Sequence, residues 1–228
     1  MLWRRGTWPA SCFAEQWRTE PGAGACATIL LLCPGSSVSE LCYELNARDE
    51  ISSVNEEWLR FALANDGEPL RPPQILGRPL WDFMGDAETQ HIYRLLHRRV
   101  RTGAAPVRLC FRCDAPDRRR LLELDISAGP EGGLIYRVRT LREQERPPVP
   151  LLEPHRPRSE QFVTICAWCE RVAVPPHGWQ AIEAAIAVLP RLAEPRPPQL
   201  THGVCEVCAK ALYGALGEDP VSAVLGQL

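Results

Sequence analysis

Four cysteines in the last third of the chain have the residue type and the spacing that bind a metal ion. They form two Cys-x-x-Cys pairs with 35 residues between them: Cys166 with Cys169, and Cys205 with Cys208. A Cys-x-x-Cys turn can point both sulfurs at one position, and zinc suits four thiolates in a tetrahedron, although iron also binds such sites. The sequence therefore predicts one zinc ion bound by these four cysteines.

The segments around the two pairs indicate the elements that would position them. An apolar strand over 162–165 precedes the first pair, and a helix over 209–216 follows the second. This arrangement favours a small, treble-clef-like zinc-binding domain over residues 160–216. The spacing between the pairs exceeds the roughly 15–20 residues of a zinc ribbon, and a helix pattern over 179–189, beginning at Trp179, accounts for the excess.

Other chemistries of these cysteines fit less well. A redox-active Cys-x-x-Cys normally stands alone at a helix start in a thioredoxin-like fold, whereas this chain has two pairs and no such fold. Hydrolytic zinc needs an open coordination position, and zinc deaminases add a His-x-Glu element that is missing before these pairs. We therefore expect a structural site and no enzyme. His202 is a further candidate, either as a ligand or as a residue that packs beside the site.

The remaining cysteines raise the question of disulfide bonds and export. The chain has 10 cysteines, and its one apolar run near the N-terminus, 25–33, is nine residues long and follows charged residues. Such a run is too short to cross a bilayer and differs from a signal peptide. We expect a cytoplasmic protein with reduced thiols and no membrane partner. The net charge of −2 predicts no nucleic-acid partner.

The chain before the zinc domain predicts an α+β fold. Two strand patterns, over 41–46 and 51–54, flank a polar turn, and Asn55 is placed to cap the helix that follows. A second helix is expected from Asp86 to Gly103. Alternating apolar and polar residues then predict three antiparallel strands with one face buried, within 107–113, 122–126 and 134–139. A five-stranded antiparallel sheet with helices on one face fits this order.

Two features of the strand region invite a functional interpretation. Cys110 and Cys113 form a third Cys-x-x-Cys, but residues three apart in a strand point to opposite faces and would not bind one ion. Arg108, Arg112 and the run 118–120 make a local basic patch, which is either a solvated strand edge or a docking surface for an acidic partner.

Composition marks the expected boundaries of the chain's parts. Residues 1–37 show no period and are expected to be a poorly ordered extension, and 38–142 hold the sheet domain. Residues 143–159 are rich in proline and predict an extended linker, with few contacts between the parts that it joins. The zinc domain over 160–216 follows, and 217–228 form a C-terminal tail.

Both parts resemble known families. The sheet domain resembles a PAS domain in five segments: YELNARDEISSVN (43–55), EEWLRFA (56–62), LGRPLWDFM (76–84), HIYRLLHRRVRTG (91–103) and VRLCFRCDAPDRRRLLEL (107–124). The C-terminal part resembles a zinc-knuckle segment that follows sensory domains in bacterial signalling proteins. Its marks are ICAWCERV (165–172) and THGVCEVC (201–208).

The resemblance implies a signalling protein. A PAS-like module would sense an unidentified small ligand or mediate dimerisation, and the zinc knuckle would be a rigid platform. The implied partner is a second copy of the chain or a signalling output protein. The alternative is a zinc-dependent interaction protein, or a thiol-redox regulator, whose PAS-like fold binds no ligand.

Overall fold

The structure, a computed structural model, describes residues 40–65, 70–103 and 105–216. The predicted extension 1–37 and tail 217–228 lie outside these residues. A five-stranded antiparallel sheet contains β1 (Leu41–Leu45), β2 (Ile51–Val54), β3 (Val107–Arg112), β4 (Arg118–Ala128) and β5 (Leu134–Glu145), in the order β2-β1-β5-β4-β3. The described residues of this part also form three α-helices: α1 (Glu56–Ala64), α2 (Pro72–Ile75) and α3 (Ala87–Arg101). The predicted antiparallel sheet and mixed α and β content are confirmed.

Local signals in the sequence explain where the two longer helices begin and end. The side chain of Asn55 accepts a hydrogen bond from the Trp58 N–H, and that of Asp86 accepts one from the Thr89 N–H. Each cap satisfies a backbone donor that the first helical turn leaves unpaired. Gly103 follows α3 with φ +83°, a left-handed conformation that glycine adopts without steric cost.

The helices cover one face of the sheet, and the opposite face is polar. The covered face buries alternate residues of β1, β3, β4 and β5, as the period of two requires; these are Leu41, Tyr43, Leu45, Val107, Phe111, Leu122, Leu124, Ile126, Leu134, Tyr136 and Val138. Trp58 of α1 and Ile92, Leu96 and Val100 of α3 pack against them. The sheet and its helices therefore share one apolar core.

The arginines that the sequence groups into a basic patch are each paired with a carboxylate. Arg108 contacts Asp125 at 3.0 Å, and Arg119 contacts Glu183 at 2.8 Å. Arg118 and Arg120 both contact Glu143, at 2.8 and 3.2 Å. Arg112, expected on the solvated side of β3, is buried beside Asp114. The carboxylates thus neutralise the patch.

A second, smaller sheet forms the C-terminal part. It contains β6 (Phe162–Cys166), β7 (Val172–Ala173), β8 (Trp179–Gln180) and β9 (Gln199–Gly203), in the order β8-β7-β6-β9. Helix α4 (Ile182–Val188) lies between β8 and β9 in the chain, and α5 (Glu206–Leu216) follows β9. Trp179 lies in β8 and not in the helix that the sequence predicts from this residue. None of the helices in the described part of the chain has both the length and the apolar character needed to cross a bilayer.

The expectation of few contacts between the two parts is wrong. Strand β5 continues to Glu145, and the proline-rich residues after it pack into the C-terminal part: Val149 and Leu151 are buried there with Val163 and Ile165. Arg146, whose side chain is 4% exposed, donates to the carbonyl oxygen of Ala115 at 2.8 Å. The prolines restrict this segment without keeping it away from its neighbours. The boundaries at 142 and 160 themselves stay a prediction.

A hydrogen-bonded histidine is buried inside the sheet domain. His97 Nδ1 lies 2.8 Å from Asp49 Oδ1, and His97 Nε2 contacts the Tyr136 hydroxyl. Arg101 also contacts Asp49 Oδ1, at 2.7 Å. Because an ionised carboxylate only accepts, Nδ1 carries the imidazole proton and Nε2 accepts from the tyrosine. The cluster joins α3 to β5 and to the turn between β1 and β2.

Removing the tyrosine hydroxyl should destabilise the fold. We expect Tyr136→Phe to lower the free energy of unfolding by about 1–3 kcal/mol, since it leaves the buried Nε2 of His97 without a donor. Chemical denaturation monitored by circular dichroism measures the change. A loss below about 0.5 kcal/mol, which is the range of ordinary surface substitutions, would contradict a hydrogen bond of this importance.

The same histidine should make stability depend on pH. Burial lowers the pKa of His97 and outweighs the opposing effect of Asp49, so the unfolded chain takes up a proton at a higher pH than the folded one. Stability should therefore fall as the pH drops below about 6.5, the ordinary histidine pKa. Denaturation at pH 7.5 and 6.0 should show a smaller fall in the free energy of unfolding for His97→Gln than for the unsubstituted protein. His177→Gln, at an exposed histidine, is the control, and equal falls in both variants would refute the assignment.

Candidate metal centre

Parallel pairing of β6 with β9 brings the two cysteine pairs together. In this register Cys166 lies opposite Gly203, and the Ala167 N–H donates to the Gly203 carbonyl at 2.9 Å. The first pair therefore begins where β6 ends, next to the residues that lead into the second pair. Distant parts of the chain converge here because the 32 residues between β6 and β9 (167–198) form the crossover that parallel strands need.

The first pair lies in a tight turn, residues 166–170, which we call the knuckle turn. The Glu170 N–H donates to the Cys166 carbonyl at 3.0 Å, and the Cys166 N–H donates to the Arg171 carbonyl at 2.7 Å. Glu170 closes the turn in a left-handed conformation, with φ +56°. This conformation is uncommon for a residue with a side chain, so the surrounding contacts must hold it.

The second pair lies at the start of α5. The Ala209 N–H donates to the Cys205 carbonyl at 2.9 Å, and Cys205 Sγ accepts from the Cys208 N–H at 3.5 Å. The Cys205 N–H in turn donates to Cys166 Sγ at 3.4 Å. Unpaired N–H groups and the positive end of the helix dipole favour negative charge at this position. The backbone therefore supports thiolates in both pairs.

The four sulfurs form one compact and buried group, which we call the cysteine cluster. All four lie within 4.8 Å of one another, and the residues are between 0 and 7% exposed. Cys169 Sγ and Cys205 Sγ are 3.7 Å apart. A tetrahedral zinc site with Zn–S bonds of about 2.3 Å places its sulfurs about 3.8 Å apart. The arrangement can hold a metal ion, and its dimensions fit zinc.

The ionisation of the four thiols is coupled. Hydrogen bonds from the Cys166 and Cys169 thiols lower the pKa of Cys205, whereas the hydrogen bond with Cys166 raises that of Cys208. Four negative charges this close repel each other, so only some of the thiols can ionise unless a cation compensates them. A divalent ion would remove this conflict, and the burial of all four sulfurs makes such compensation necessary for a four-thiolate state.

The other candidates lie outside the cysteine cluster. His202 is in β9, one position before the residue opposite Cys166, and is not among the clustered ligand atoms. Its Nε2 is buried and has no hydrogen-bond partner within the described part of the chain. Burial also lowers the pKa of His202, which favours the neutral ring. Cys110 is in β3 and Cys113 follows that strand's end; neither joins the cluster.

The knuckle turn carries two further residues that the sequence analysis did not single out. Trp168, between the first two cysteines, is 0% exposed, and its ring centroid lies 5.9 Å from that of Tyr93 in α3. Glu170 is 6% exposed, and its Oε1 accepts from the Asp114 N–H at 3.0 Å. Burial raises the pKa of Glu170, and the charge of Asp114 adds to the rise. The turn is thus packed against the sheet domain.

One signal in the sequence could have found these contacts. A tryptophan between two closely spaced ligands cannot be buried within so short a turn, so it must pack against another element. The glutamate after the second cysteine and the buried arginine of β3 gave no comparable signal, because charged residues are mostly exposed.

Comparison with known proteins gives no further guide to the family. No protein-family model matches the chain, and no curated protein matches it either. The function is therefore inferred from the fold and from the cysteine cluster.

The metal content of the purified protein tests the centre. We expect one zinc ion per chain in protein purified without added metal, measured by elemental analysis. Cys208→Ser should weaken zinc binding by more than about 100-fold, because it removes a direct ligand and not merely a supporting group. Cys110→Ser is the matched control and should retain one zinc ion per chain. Equal zinc content in the two variants would show that the cysteine cluster is not the binding site.

Proposed function

We propose that this chain is a signalling protein in which a PAS-like sheet domain and a structural zinc site form one platform for a protein partner. The cysteine cluster is the observation that carries the proposal. A tetrahedral site filled by four thiolates leaves no coordination position for water or substrate. Such a site stabilises a fold and performs no chemistry. The partner is a second copy of the chain or a separate output protein.

Two architectural features support the finer assignments. A five-stranded antiparallel sheet covered on one face by α1, α2 and α3 is what the resemblance to PAS domains implies. A metal site built from a turn after a strand and from the first turn of a helix supports a treble-clef-like zinc domain. Both assignments belong to the proposal.

The interior of the sheet domain favours contact with a partner over sensing of a small ligand. The cavity between the sheet and the helices has a volume of about 10 Å³ and is lined by apolar residues, among them Tyr43, Trp58 and Phe83. This volume holds about one water molecule, whereas pockets for small ligands usually measure roughly 300–1,000 Å³. The side chains of the domain fill this region, so dimerisation or docking is the better-supported role.

Thiol-redox regulation is a second candidate, which one distance favours. Cys169 Sγ and Cys205 Sγ are 3.7 Å apart, so a small movement would allow a disulfide bond of about 2.05 Å. With hydrogen peroxide as the oxidant, two thiolates and two protons would give one disulfide and two water molecules. The loss of two thiolate ligands would release the metal ion.

Native mass spectrometry of freshly purified, full-length protein tests the main proposal. We expect a mass equal to the chain, or to two chains, with one zinc ion per chain and no organic ligand. A stoichiometric organic mass, or a visible absorption band in protein that elemental analysis shows to be free of iron, would contradict the partner role and restore ligand sensing. Zinc release by equimolar peroxide, reversed by a thiol reductant, would instead support the redox candidate; retention of zinc would dismiss it.

A further inference from the structure

The knuckle turn supplies hydrogen-bond partners to the edge of the five-stranded sheet. Strand β3 is the last strand in the sheet order, so one side of its backbone has no neighbouring strand among the residues that the structure describes. The Arg112 N–H donates to the Trp168 carbonyl at 3.0 Å, and the Asp114 N–H donates to Glu170 Oε1 at 3.0 Å. The segment that carries two of the four cysteines therefore covers the end of β3.

Buried charges beside this contact make it unfavourable to lose only part of the contact. The Asp114 side chain is 0% exposed and lies between two arginines: it contacts Arg112, and it contacts Arg146 at 2.9 Å. Glu170 lies near Arg112. Burial lowers the pKa of that guanidinium, but the carboxylate of Asp114, with a smaller effect from that of Glu170, raises it above its ordinary value. Breaking a buried charge pair leaves an uncompensated charge, which is strongly unfavourable. If the knuckle turn moves away, the segment after β3 must rearrange so that water can reach these groups.

The metal would hold the turn in the conformation that makes these contacts. The turn contains Cys166 and Cys169 and ends in the left-handed Glu170. Free energy of metal binding at such sites is also free energy of folding, since the site does not exist in the unfolded segment. Loss of the metal therefore removes the constraint that keeps Trp168 and Glu170 against β3.

We propose that the metal centre determines whether residues 112–118 are ordered, and that it acts on them through Trp168 and Glu170. Residues 112–118 form the end of β3 and the turn after it. Metal occupancy is thereby transmitted from the cysteine cluster to the edge of the five-stranded sheet. The inference rests on the proposed metal binding and adds a regulated element to it. The coupling requires no movement of β1 and β2, which lie at the far edge of the sheet.

Residue-resolved amide hydrogen exchange of the full-length protein tests the coupling, with zinc bound and after chelation under reducing conditions. Arg112 and Asp114 report the direct contacts. The Cys113 and Ala115 amides report transmission, because their acceptors, the Arg120 and Arg118 carbonyls, lie within the sheet domain. Without metal, we expect the Arg112 and Asp114 amides to exchange at least about tenfold faster. The Cys113 and Ala115 amides should exchange at least about threefold faster.

The Asn46 amide, bonded to the Glu50 carbonyl at 2.9 Å, is the reference and should change less than about twofold. Acceleration of Arg112 and Asp114 alone would mean that the contact is lost without transmission, and would overturn the coupling while metal binding stands. A wild-type protein that binds no metal would overturn both the coupling and the proposed function, and elemental analysis identifies this outcome.

Two substitutions separate the coupling from general loss of stability. Glu170→Ala should accelerate exchange at Cys113 and Ala115 with zinc still bound at one ion per chain, and should make their exchange less sensitive to chelation, since only the Trp168 contact then remains. Glu131→Ala is the matched control, because Glu131 is exposed and has the same left-handed backbone, with φ +51°. Glu170→Gln keeps an oxygen acceptor for the Asp114 N–H and should restore most of the protection. Wild-type exchange in Glu170→Ala would overturn the proposal.

Discussion

The convergence of four sulfurs from two separate turns within 4.8 Å is the constraint on which the C-terminal part depends. Like charges at this distance are unfavourable without a cation, and the core of the small sheet, centred on residues such as Leu151 and Ile165, is modest. The parallel pairing of β6 with β9 and the N-terminus of α5 position the sulfurs. A bound metal would connect all three elements and so stabilise a region too small to rely on its core alone.

The same convergence places the knuckle turn against the sheet domain. Trp168 extends the apolar core of the sheet towards the cysteine cluster through Tyr93, whose ring in turn lies 6.4 Å from that of Tyr136. The buried cysteines and the sheet residues belong to one continuous apolar cluster. The two parts of the chain therefore form a single packed unit at this interface, although the prolines between them suggested independence.

Patterns within short segments, and the meeting of two cysteine pairs that can share one metal ion, could be predicted from the sequence. The other contacts between distant segments could not. The five strands, the caps at Asn55 and Asp86 and the convergence of the cysteine pairs follow from local periodicity and ligand spacing. The burial of Arg112 could not be foreseen, because its position in the alternating pattern of β3 indicates a solvated side chain. The sequence predicts a helix from Trp179 because this residue fits a helical apolar period, whereas in the structure Trp179 pairs with Ala173 in a β-ladder.

The buried ion cluster at this interface is better explained by specificity than by stability. Burying a carboxylate and two arginines costs desolvation that their attraction roughly repays, so an apolar interface of the same shape could be as stable. Asp114, however, accepts from both arginines and from the Arg120 N–H at 3.0 Å, while its own N–H reaches Glu170. The knuckle turn meets this cluster through Glu170 and through the Trp168 carbonyl, which accepts from the Arg112 N–H at 3.0 Å. Sliding the turn along β3 would leave the Arg112 and Asp114 N–H groups without these acceptors. An apolar contact would tolerate sliding along β3, whereas this ion cluster fixes the register in which the cysteine cluster meets the edge of the sheet.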